Sequence, residues 1–277
     1  MQENYEEAAR YTKELVQTEL TISYRYPTIA LLFTVILLIA GYTVRLVAFL
    51  SLNPSFLLDA PFNGTEEEQH WMQLIAQRAG YAYSLSFQVC LFLLSFLIPL
   101  MVAFTLSRYF EDGTFRTLLS FPIGRKHYIA VKSGVLIGLS FLFPIFASVL
   151  WILIWFPASL GIQYFLIVSM SALASVFVIV SSSVLISVIT KNSYATELGA
   201  LLLWGGIRFL QTNIGFPLEV IQRVNQFIDP LALATFTFYG FVSDFKSIDV
   251  LVSILIAFLL SISQLVIAAF LFKRAEV

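Results

Sequence analysis

The sequence predicts an all-α integral membrane protein with six transmembrane helices, and three observations carry that prediction. The 277 residues are 59% hydrophobic and only 12% charged, about half the charge share of an ordinary soluble domain. Five apolar runs, roughly 28–50, 84–107, 129–156, 162–189 and 248–272, reach the ~20 residues needed to cross a bilayer. The basic residues collect in alternate connections, as they do when one set of loops faces the cytoplasm.

Taken in chain order, residues 1–26 come first. Tyr5, Ala8, Ala9, Thr12, Leu15 and Val16 recur at helical spacing, and Glu3, Glu6, Glu7, Glu14 and Glu19 occupy other positions. This pattern predicts an amphipathic helix lying along the inner membrane surface. The start MQENYEEAAR lacks the basic and then apolar layout of a secretory signal, so no cleavage is expected. Pro27 separates this helix from the first span. Residues 51–83 read as an outer loop with turns at Asn53-Pro54 and Asn63-Gly64. Thr65 and Glu68 have capping-box spacing, and Asn63-Gly64-Thr65 is a glycosylation sequon. The run Leu198 to Leu210, interrupted by Gly205, Gly206 and Arg208, is taken as a span over 196–211. Charge decides that point. Eleven of the sixteen Lys and Arg residues fall on one side when six spans are drawn, with both termini cytoplasmic. Five spans would carry Lys273 and Arg274 outside. Residues 212–247 mix apolar residues with Pro217, Glu219, Arg223, Asp229-Pro230 and Gly240. They read as short re-entrant helices at the outer face, where irregular backbone is tolerated against protein. The whole chain, 1–277, is one transmembrane domain in the cell membrane.

Several chemistries are excluded by what is missing. There is no G-x-x-x-x-G-K-[ST], no H-E-x-x-H and no G-x-S-x-G. The single cysteine, Cys90, permits no intramolecular disulfide, and His70 and His127 lie far apart. A net charge of −1 gives no field for nucleic acid. The apolar runs lack the interior Asp, Glu or His of a proton-coupled carrier. Arg45 and Arg208, near the outer ends of their spans, are expected to snorkel to the headgroups. No catalytic residue, metal site or cofactor is expected, and the chain is not read as an enzyme.

The connection 108–128 is not generic. Gly113 permits a tight turn and Thr114 can cap the next helical turn. Phe115, Leu118 and Leu119 share one helical face, and Pro122 and Gly124 end the helix. Arg125, Lys126 and Lys132 are expected to meet anionic headgroups where the chain re-enters the bilayer. The product is an apolar knob on a basic collar, which suits a docking partner.

The pattern Glu111-x-Gly113-Thr114-x-x-x-Leu118-Leu119-Ser120-x-Pro122-x-x-Arg125, followed by Lys132, resembles the signature of type-2 ATP-binding-cassette transporter permeases. A shorter likeness is the turn Thr190-Lys-Asn-Ser-Tyr-Ala-Thr-Glu197, since family members carry a small polar or basic turn there. The resemblance implies that 111–126 is a coupling helix seated on a separate P-loop ATPase subunit, which binds the ATP. It further implies a second permease copy or a paralogue alongside, and export of a hydrophobic, lipid-linked or polymeric substrate. An alternative is a permease-like subunit that transmits ATPase-driven movement to an extracytoplasmic partner without carrying a classical substrate.

Overall fold

The computed structural model describes residues 10–18, 21, 84, 87–113, 125–155, 162–212, 227–239 and 247–274. All of the described elements are helical. Residues 10–18 form α1, and α2 runs Phe87–Glu111 with a π-helical segment at Ala103–Ser107. Then come α3 (Arg125–Trp155), α4 (Ile162–Thr190), α5 (Ser193–Thr212), α6 (Pro230–Tyr239) and α7 (Ser247–Arg274). Three of the described helices are long and apolar enough to cross a membrane: Phe87–Glu111, Leu166–Thr190 and Ile248–Lys273. The expected first span at 28–50 and the loop 51–83 lie outside the described residues.

The helices sit close to the apolar runs, with differences at the ends. α2 continues to Glu111 and α3 opens at Arg125, so helix occupies both edges of the expected 108–128 connection. Two features close α2. Asp112 N–H bonds the carbonyl of Arg108 at 2.9 Å, and Gly113 follows at φ +68°. That left-handed conformation is open to glycine without the clash a Cβ brings.

α4 is the centre of the assembly. It packs against α2, α3, α5, α6 and α7. Val168, Ala172, Ala174, Val176, Ile179, Val180 and Val184 on it are buried. Small side chains let neighbouring backbones approach, and hydroxyls then link helices where no water competes. Three successive serines do different work there. Ser181 Oγ donates to Gln264 Oε1 of α7 at 2.6 Å. Ser182 Oγ accepts the indole N–H of Trp204 in α5 at 3.1 Å. Ser183 Oγ returns to the carbonyl of Ile179. Consecutive helical residues point about 100° apart, so one Ser-Ser-Ser run reaches two neighbours and its own backbone.

α6 begins against the middle of α4. Asp229 is 1% exposed. Its Oδ1 accepts the Ser175 hydroxyl at 2.9 Å and the Ala232 N–H at 3.2 Å. Ser175 Oγ in turn accepts the Leu231 N–H at 3.3 Å. Asp229 is thus the N-cap and Pro230 the first helical residue, whose missing N–H would have had no intrahelical partner. The apolar runs contain no interior acid, yet a carboxyl reaches mid-height of α4 because the 212–247 segment delivers it there.

Candidate functional site

α2 closes and α3 opens at one end of the bundle, here termed the near end. Six described elements converge on it. α1 reaches it through Thr12 Oγ1, which lies 2.8 Å from His127 Nε2 at the start of α3, and through the buried Leu15. α7 reaches it through Phe272, whose ring meets Phe110 edge-on at 5.6 Å and stacks on Tyr128 at 6.5 Å. Residues 12 and 272 are therefore at the same end of the molecule.

The junction of α2 with the α4–α5 turn is polar and closely specified. Glu111, the last residue of α2, accepts the Ser193 N–H at Oε1 and the Ser193 hydroxyl at Oε2, each at 2.8 Å. One helical turn back, Ser107 Oγ lies 2.7 Å from both Ser187 Oγ and Thr196 Oγ1. Thr190 Oγ1 joins Thr196 Oγ1 at 2.7 Å. Ser107, Ser187 and Thr196 are fully buried. Residues i and i+4 share a helical face, as do i and i+3. Ser107 and Glu111 on α2 therefore meet Thr196 and Ser193 on α5 as two rungs of one ladder.

Local sequence builds the α4–α5 turn. Lys191 takes φ +52° and its N–H bonds Ser187 O at 2.9 Å, ending α4. Asn192 then caps α5, its Oδ1 accepting the Ala195 N–H at 2.9 Å. The first N–H groups of a helix lack internal partners. Asn192 serves one and Glu111 another, and the Glu111 carboxylate also meets the positive end of the helix dipole.

Of the residues expected to dock a partner, Glu111 and Gly113 are described. Glu111 is engaged within the chain and Gly113 makes the left-handed turn. Thr114, Phe115, Leu118, Leu119, Ser120 and Pro122 lie outside the described residues. Arg125 opens α3, and its side chain lies outside them too. Lys132 differs from expectation. It is 3% exposed, with Nζ 5.0 Å from the centre of the Tyr109 ring, so it is turned into the protein and not toward headgroups. A cation over an aromatic face is attracted by the ring quadrupole, and Tyr109 on α2 supplies that face two residues before α2 ends.

Among the described residues no three His, Cys, Asp or Glu groups converge to hold a metal ion. Sequence reasoning missed the two rungs and the Asp229 cap. The signals were Ser107 four residues before Glu111, Ser193 three before Thr196, and Asp-Pro preceding an apolar run. No protein-family model matches the chain, and no curated protein matches it either.

Proposed function

We propose that the chain is the membrane-spanning permease subunit of an ATP-driven exporter, moved by a separate P-loop ATPase docked on residues 111–126. The near end faces the cytoplasm, and a second copy or a paralogue completes the path. Six helices cross the membrane in this reading, and the 227–239 segment enters from the outer side.

The observation that carries the reading is the Glu111–Ser193 contact. It supports the reading because the two segments with the transporter-like patterns, 111–132 and 190–197, meet at one end of the bundle. A docked subunit would address both turns together. The expected apolar knob Phe115, Leu118 and Leu119 follows Gly113 closely in the sequence.

Co-purification with a P-loop ATPase encoded beside this gene tests the proposal. Leu118→Glu with Leu119→Glu should abolish capture of the ATPase and leave membrane insertion intact. A complex that survives both changes would sink the docking assignment.

A further inference from the structure

We propose that Glu111 is a positioning residue that splices the two near-end turns into one mechanical unit, so that the order of the 111–113 turn and the order of the α5 start rise and fall together. The proposal deepens the permease reading, on which it rests for the source of any push. The splice itself is a property of this chain alone.

Three features carry it. The contact is bidentate, and its two bonds use both carboxylate oxygens on one residue. Two bonds fix orientation as well as distance, whereas a single bond leaves the carboxylate free to swing. The contact is also placed where displacement would arrive first. Glu111 ends α2, and Gly113 turns the chain away two residues later. Movement of the following segment therefore pulls on the Glu111 backbone before it reaches the buried rung at Ser107. Finally, the first residue of α5 lies outside the buried rung. Thr196 is tied to Thr190 and Ser107, whereas the Asn192 side chain reaches only the Ala195 N–H. The Ser193 N–H depends on Glu111.

The two rungs also divide the work. Ser107 and Thr196 are buried and neutral, which suits a fixed pivot. Glu111 is exposed and charged, which suits a connection that is made and broken at the surface.

Hydrogen exchange of the full chain in lipid nanodiscs tests the splice in both directions. Glu111→Ala should speed exchange of the 193–197 amides by about five- to tenfold, the usual scale for losing a helix cap. Glu111→Gln, which keeps one acceptor, should fall between. The 230–239 amides serve as the internal control and should not change. The reverse arm uses Ser193→Pro. Proline is accepted at the first helical position, so this change removes both donors to Glu111 and spares α5. It should speed exchange across 108–113 several-fold. Unchanged exchange at 193–197 in Glu111→Ala, or at 108–113 in Ser193→Pro, would overturn the splice. ATPase capture is scored separately with the Leu118 and Leu119 changes, so failure of docking is read independently of these rates.

Discussion

α4 and α7 run 29 and 28 residues and are closely alike in apolar character. Yet 72% of the most apolar stretch of α4 is buried inside the protein, against 28% for α7. On α7, Ile248, Leu251, Leu255, Leu259, Ile262 and Val266 are exposed at steps of three and four residues, an unbroken apolar face. On α4 the corresponding space is taken by serines, alanines and valines packed on five neighbours. Between two helices this apolar, hydrophobicity does not choose the interior one, because lipid tails are as apolar as leucine. Small size and the capacity to hydrogen-bond across helices choose it. α4 spends its hydroxyls on Asp229, Gln264, Trp204 and Ser107.

That contrast can be broken at its strongest point first. Asp229→Ala strands the Ser175 hydroxyl and the Ala232 N–H in a buried position, and should cost about 3 kcal/mol. Reversible unfolding in bicelles measures it. Asp229→Asn keeps an accepting oxygen and should cost less than half as much. A loss under ~1 kcal/mol for the alanine variant would mean that α4 is not organised by its polar links. Next comes a matched pair of packing changes. Ala174→Leu adds volume where the side chain is 0% exposed and should cost about 2 kcal/mol. Leu259→Ala on the outer face of α7, 60% exposed, should stay within ~0.5 kcal/mol. Equal effects would erase the distinction between hub and perimeter. Trp204→Phe removes the indole donor to Ser182 and should cost about 1 kcal/mol, read from the same unfolding curves. The smallest effect is expected from a double-mutant cycle of Ser181→Ala and Gln264→Ala, with a coupling near ~0.6 kcal/mol. A coupling of zero would leave Ser181 satisfied by the Val178 carbonyl alone.

Hydropathy placed the described helices well because a long apolar run admits few other structures. The run read at 162–189 is helical over Ile162–Thr190, and that at 248–272 over Ser247–Arg274. Turn chemistry was legible too, since Gly113 is in the conformation its position demands. Pairing was not legible. Ser175, Ser181 and Ser182 look identical on a hydropathy scale, and only the neighbours they face distinguish them. Asp229 was hidden for a related reason. A scan for acids inside spans passes over one that a connecting segment folds inward, although Asp-Pro ahead of Leu-Ala-Leu-Ala is a helix start that local rules recognise. Lys132 shows the limit of charge counting, because orientation rules use its sign and say nothing of the Tyr109 ring that receives it.

The π-helical segment Ala103–Ser107 sets the rotational phase of everything beyond it in α2. Its hydrogen bond runs from Arg108 N–H to Ala103 O, spanning five residues where the α-helix around it spans four. Reverting it to α-geometry would twist the tip of α2 by about 100°. Ser107 and Glu111 would then both miss α5, so this one short segment keeps the two rungs in phase with Thr196 and Ser193.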